Sequence, residues 1–569
     1  MTKNVISEPA KPQEAESSEL APAALARNAG VVVATGLSAA GCGGGGSGGG
    51  GGGPSNGVAI PTQPAAPAVT DDSEAARFLV QASFGPTDEE ITNVARNGYD
   101  AWLAEQYSHP VTHQTDRTSG RASEERIEAW WYGAIQGPDQ LRQRVAFALS
   151  QIFVVSEVDL SGQERNVGLA SYYDMLAEGA FGTYRDLLKQ VTLHPIMGEY
   201  LSMVRNEKPD AARNIRPDEN YAREVMQLFS IGLVELALDG SVRNAGQGGI
   251  PTYTQENIEG LAHVFTGWNY AGSPSWRSSH RNYIDPMEPN EDFHDTATKI
   301  IVGGVTIPDG GTAEVDLDLA LEALERHPNV APFMSEQLIK RLVTSNPTRA
   351  YVQRVAQIWL SDERGVRGNL ASVTRAILLD PEAREGHRTG GTSFGKLREP
   401  LLRQTALWRA MGARSASGRY PFSRPERDFA QAPLRAPSVF NFYRPDFQQP
   451  GDLSTAQLDS PEFAILTESV IVATTNRLYT NVFSNHSDAS NRGADTVLLQ
   501  LEPAKAFAAD PTALVGYLDR ILMAGQMSAV MRTSLVNYLI PISDADGGTD
   551  RVLEALYLIV SSPEFALQR

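Results

Sequence analysis

The sequence predicts a mainly α-helical protein: a multi-helix globular body with one small β-hairpin, behind a disordered N-terminal arm. Three observations carry that prediction. From Asp72 onward apolar residues recur at the three-to-four spacing that lays a stripe along a helix. Residues 299–308 (KIIVGGVTIP) form the one convincing hairpin, two β-branched runs about Gly303-Gly304. Residues 43–70 are a glycine tract and then a Pro- and Ala-rich stretch, a composition that cannot bury a core.

The 569 residues divide into a signal- or lipoprotein-like segment (1–42), a Gly/Pro-rich linker (43–70) and two helical parts, 71–388 and 389–569. Residues 30–40 (GVVVATGLSAA) have the length of a signal h-region, too short to span a bilayer as a helix, and run into Gly41-Cys42. The pattern resembles a bacterial lipoprotein signal, with Cys42 as the lipidation site and export to the cell envelope or periplasm as the expectation. The acidic n-region and Ala39, where leucine is usual, depart from that pattern, so a cytoplasmic tail with an apolar patch is the alternative. Cys42 is the only cysteine, which excludes internal disulfides and cysteine-based metal sites. The net charge of −19, spread along the chain, argues against nucleic acid and against a basic membrane-binding face; contact with a membrane is expected only through the lipid.

Along the chain, Ser73 suits the cap of a helix through Gln81, and Thr87 the cap of one carrying Ile91 and Val94. Trp130 to Ile135 and Leu141 to Val155 read as a helical hairpin broken at Gly137-Pro138. Helices follow at 172–180 and 184–193, and Thr254 caps another over 255–266. Residues 271–295 are too polar to read as core. Helices resume at 315–326, 330–343, 352–360, 370–379, 399–411, 462–478, 511–523 and 551–560. Ser460-Pro461-Glu462-Phe463 recurs as Ser562-Pro563-Glu564-Phe565 and reads as a helix-start device.

The stretch around which the rest is arranged is residues 215–232 (IRPDENYAREVMQLFSIG). At helical spacing Tyr221, Ala222, Val225, Leu228 and Phe229 make one apolar stripe, and Asn220, Arg223, Glu224 and Gln227 gather opposite. Pro217 and Asp218 suit its start and Gly232 its end. Two readings of the polar face stand: a solvated face with a Glu219–Arg223 pair worth a few tenths of a kcal/mol, or a grip on an anionic or hydroxylated ligand. Elsewhere, Gly391-Thr392-Ser393-Phe394-Gly395 spells G-x-S-x-G, but no strand precedes it as a nucleophile elbow needs. Asp285, Glu288, Glu291, Asp292, His294 and Asp295 offer oxygen ligands and one imidazole, but a solvated acidic loop is the simpler account, and no metal is assigned.

Glu219-Asn220-Tyr221-Ala222-Arg223-Glu224, Tyr253-Thr254 and Phe265-Thr266-Gly267-Trp268 resemble a bacterial family called domain of unknown function 1800. So do Ala75-Ala76-Arg77-Phe78-Leu79, Phe84-Gly85-Pro86-Thr87, His294-Asp295 with Lys299, His327-Pro328, Pro437-Ser438-Val439-Phe440 and the closing Ser-Pro-Glu-Phe. The resemblance runs from Ala75 to the C-terminus and departs at Phe229, where members often carry a histidine. It implies an exported, helical protein without an established activity or cofactor. It also implies a partner, an exported sulfatase- or phosphatase-like protein (domain of unknown function 1501). The expected function is an envelope scaffold or accessory to that partner. The alternative is an envelope hydrolase or ligand-binding protein using Asn220, Arg223 and Glu224 with His294, Asp295 and Lys299.

Overall fold

The computed structural model describes residues 68–69, 71–119, 122–160, 162–391, 393–490 and 493–569. The expected signal segment, Cys42 and the linker up to residue 67 lie outside them. Helices dominate, and the strands are two residues long, in three antiparallel pairs. Lys299–Ile300 pairs with Thr306–Ile307, the expected hairpin, and Gly303 and Gly304 (φ 73° and 71°) turn the chain between them. Trp268–Asn269 pairs with Glu288–Pro289, and Lys396–Leu397 with Leu567–Gln568. These join segments distant in sequence, and two residues are too few for alternation to announce them. Among the described residues no helix is long and apolar enough to cross a membrane.

One hydrophobic cluster runs from Ala75 to Phe565. Packing therefore crosses the boundary read near residue 389: the helix Asp72–Ala82 lies on Pro511–Met523, and Ser123–Gln136 on Pro400–Ala410. The second contact is aromatic. Trp131 meets Trp408 at 5.1 Å between ring centroids and stacks on Phe422 at 5.6 Å, each such pair worth about 1 kcal/mol beyond its buried area.

Several elements differ from the sequence reading for local reasons. Asp71, not Ser73, caps the first helix, its carboxylate accepting the Glu74 N–H at 3.0 Å. The Thr87 cap is a full capping box with Glu90. The central helix covers Asn220–Gln227 only; Gly232, at φ 69°, closes a further turn by donating to the Met226 carbonyl at 3.0 Å. The polar stretch 271–295 buries Trp276, Tyr283, Met287 and His294, which a run of polar neighbours concealed. Neither Ser-Pro-Glu-Phe copy starts an α-helix: Pro461–Ile465 is a 3₁₀ turn, and the second copy follows the helix Thr549–Val560.

Candidate functional site

The central helix is held at its entry by Asn206. Its amide oxygen accepts the Asp218 N–H at 2.8 Å and its NH₂ donates to the Asp218 carbonyl at 3.2 Å, while the Asp218 carboxylate accepts the Asn220 N–H at 2.8 Å. Of the stripe, Tyr221, Ala222, Val225 and Phe229 are buried and Leu228 is half-buried at the cleft described below, and Tyr221 locks the helix through a 2.6 Å hydroxyl contact with Thr192. On the polar side Asn220 is exposed, and Arg223, half-buried, pairs with Glu219 at 3.0 Å. Gln255 donates to the same Glu219 at 3.0 Å. Glu224 is only 7% exposed, and its Oε2 has no hydrogen-bond partner. Burial pushes its carboxyl above the usual range, against the lowering effect of Arg223. Its charge in turn helps raise the Tyr253 phenol, which burial raises first.

His294, Asp295 and Lys299 gather at the other end of the helix Gln255–Val264. His294 is fully buried, with Nδ1 2.9 Å from the Thr266 carbonyl oxygen and Nε2 3.2 Å from the Asp316 carboxylate. Lys299 donates to the same Asp316 oxygen at 2.5 Å and to the Ala297 carbonyl at 3.0 Å. Gly267 permits this approach. It sits at φ 87°, and a Cβ there would come 2.8 Å from the His294 Cβ. Asp295 contacts His263 Nδ1, and that hydrogen bond, ahead of any other cause, holds its carboxyl down at about 2. Its backbone N–H donates to the Thr266 hydroxyl at 2.9 Å.

The structure thus brings His294, Asp295 and Lys299 together, and leaves Asn220, Arg223 and Glu224 as a second group. Gln255, which touches Glu219, and His263, which touches Asp295, are eight residues apart on one helix, about 12 Å along its axis. Among the described residues no hydrogen bond or ion pair joins the two groups. Asp316 and His263, which complete the His294 group, escaped the sequence reading because each lies inside an ordinary helix. Ser393 of the G-x-S-x-G stretch sits in an exposed turn, its hydroxyl donating to the Gly390 carbonyl at 3.0 Å. Of the acidic loop, Asp285, Glu288, Glu291 and Asp292 face solvent. Among the described residues no three His, Cys, Asp or Glu side chains cluster to hold a metal ion.

A third region was not anticipated. Past the central helix the chain is tied to the helix Val330–Leu342 by Asn329, whose NH₂ donates to the carbonyls of Ile231 and Val234 at 2.8 and 2.7 Å. With residues 439–446 these segments enclose an open cleft of about 740 Å³. Its rim is mixed: the apolar Leu233 and Phe440 are 57% and 48% exposed, beside Arg349 and the exposed Arg444–Asp446 pair. Its floor is polar and locked. Lys340 reaches Asp459 at 2.9 Å and Glu336 at 3.1 Å, and Arg341 donates to the Gln151 carbonyl at 3.0 Å. Behind the floor Lys396 pairs with Glu462 at 2.9 Å, and Glu399 accepts from Gln151 at 3.0 Å and Gln431 at 2.5 Å. Burial raises the Glu462 carboxyl despite Lys396. In the sequence, Pro437–Phe440 and the end of the central stretch, whose Gln227, Leu228 and Gly232 line the cleft, belonged to separate readings; the floor draws on residues spread over some three hundred positions.

A family model described as "Protein of unknown function (DUF1800)" matches residues 77–567. No curated protein and no solved structure matches the chain. The match takes in the central helix, the His294 group and the cleft together, and the chain belongs to the DUF1800 family.

Proposed function

We propose that this protein is an exported cell-envelope component that holds a protein partner in the cleft beneath Phe440. The observation that carries the reading is the contrast between two exposed apolar side chains on the rim and a floor whose cations are already paired. Leu233 and Phe440 present large apolar side chains to solvent, the kind of anchor a partner covers. The floor cations are already engaged by Asp459, Glu336 and the Gln151 carbonyl, which suits shape recognition more than chemistry. The partner is an exported sulfatase- or phosphatase-like protein, and export with a lipid on Cys42 brings the two to one surface. Pull-down from envelope extracts tests this. The wild-type chain recovers the partner, and Leu233→Asp with Phe440→Asp loses it. Equal recovery by both would sink the reading. Cys42→Ser should move the protein from the membrane to the soluble fraction; identical partitioning of both forms removes the lipid.

Glu224 supports a second reading, in which Asn220, Arg223 and Glu224 bind or hydrolyse a polar ligand without the separate His294, Asp295 and Lys299 group. A buried carboxyl raised above its usual range, with one oxygen unpartnered, is the state a general acid or base requires. Glu224→Gln then abolishes turnover or binding while melting stays near wild type. Retained activity in that variant excludes the site.

A further inference from the structure

Some buried arginines here answer a carboxylate, as Arg126 does Glu157 and Arg409 does Glu90. Arg142, Arg144, Arg341 and Arg384 have no such partner and donate to carbonyl or amide oxygens instead. Arg398 and Arg403 have, among the described residues, neither an ion pair nor a side-chain hydrogen bond shorter than 3.4 Å. They are 5% and 8% exposed. Arg398 has one long hydrogen bond, 3.4 Å to the Leu522 carbonyl, and its Nε has no partner; Arg403 leaves Nε and Nη2 unpartnered. Burial lowers both to about 10, and the charge of Arg403 adds to the effect on Arg398. Both stay charged at neutral pH. Arg398 lies over the Phe565 ring at 5.0 Å, but its charge in a core is costly unless something supplies the opposite charge.

Arg398 opens onto a cavity of about 290 Å³ between the helix Asp72–Ala82, the turn at residues 523–528 and the strand Leu567–Gln568. Arg77, 1% exposed, forms another wall. Its Nη1 donates to the Ala383 carbonyl at 2.8 Å and its Nη2 to the Arg384 carbonyl, which leaves Nε unpartnered; its nearest carboxylate, Glu74 at 3.5 Å, is shared with Arg388 at 2.5 Å. Burial first, then Arg384, brings Arg77 to about 9. Arg569 adds a third guanidinium at the mouth. Glu564 is the one Asp or Glu side chain on the wall among the described residues, and it is occupied: its oxygens accept the Ser528 N–H at 2.8 Å and hydroxyl at 2.6 Å.

We propose that this cavity binds a small tetrahedral oxyanion, a phosphate or sulfate group, either free or as the head of a monoester. Guanidinium groups grip such oxygens in pairs, and the volume takes the ion together with several waters, each of which occupies about 30 Å³, or with a short ester substituent. The site stands apart from the cleft and from the Glu224 face, so it survives or falls independently of either.

Calorimetric titration of the full chain at constant ionic strength tests it, with inorganic phosphate, sulfate and glycerol 3-phosphate as probes and chloride as the balancing salt. Saturable one-to-one binding of at least one probe is expected, with a melting temperature that rises with its concentration. Tighter binding of glycerol 3-phosphate supports an ester ligand, and tighter binding of inorganic phosphate or sulfate supports the free ion. Arg398→Met should weaken binding tenfold or more. Leu567→Trp, at a partly exposed position on the wall, should do the same by filling the cavity while leaving the probe-free melt unchanged. The second variant decides if the first does not fold. Absence of saturable binding, or wild-type affinity in Leu567→Trp, overturns the proposal.

Discussion

Asp316 and Glu224 are both carboxylates less than a tenth exposed, near opposite ends of the helix Gln255–Val264, and the fold treats them differently. Asp316 meets Lys299 at 2.5 Å and His294 at 3.2 Å, two potential cations on one oxygen. Each keeps one oxygen without a hydrogen-bond partner, Oδ1 of Asp316 and Oε2 of Glu224, but Glu224 has no ion pair at all among the described residues, since Arg223 is drawn to Glu219 and toward solvent. A buried charge answered from within belongs to the architecture. One left unanswered makes the native state less stable than it need be, and is kept where something outside the fold answers it. The same contrast separates Arg126, paired with Glu157, from Arg398.

Three measurements break or sharpen the comparison. Asp316→Ala leaves Lys299 and His294 facing each other without a counter-charge, and urea denaturation should show a loss of about 3–5 kcal/mol. A loss near zero would mean that the pairing carries no structural weight. Asp295→Asn should cost about 1.5–3 kcal/mol at pH 7, the range for a hydrogen bond to a charged group. Because Asp295 is held down at about 2, its contribution is present above the ordinary aspartate range and fades as pH falls from about 4 toward 2; wild type and variant should converge there. Glu224→Gln should shift stability least, by under about 1 kcal/mol, and in the opposite direction. A raised carboxyl favours the native state while protonated and loses that advantage as pH rises through its folded value. The variant therefore melts at or slightly above wild type at neutral pH, and the gap closes in acid. A large destabilisation would place Glu224 with Asp316 as a structural group.

The helices were legible because burial repeats at their own period: Thr87 with Ile91 and Val94, Leu317 with Leu321 and Leu324, and residues 511–523 all stand where the spacing puts them. So was the hairpin at Gly303-Gly304. Of the candidate site, the clustering of His294, Asp295 and Lys299 followed from their nearness in sequence and the resemblance, but their partners did not. Asp316 and His263 each sit on a helix whose pattern is complete without them. The burial of Glu224 was hidden for a related reason: the helix stripe marks one packed face, while Glu224 lies on the other and is buried all the same. The cleft was least legible of all, since Gln151, Lys340, Glu399 and Glu462 meet only in three dimensions.

The claim that the cleft is the working surface is tested most directly by photo-cross-linking in intact cells from a reactive residue at position 440, with position 158, an exposed valine outside the cleft, as the control. The account predicts one dominant cross-linked envelope protein, of the sulfatase- or phosphatase-like kind, from position 440 and none from 158. No adduct at 440, or the same adducts from both positions, would contradict it.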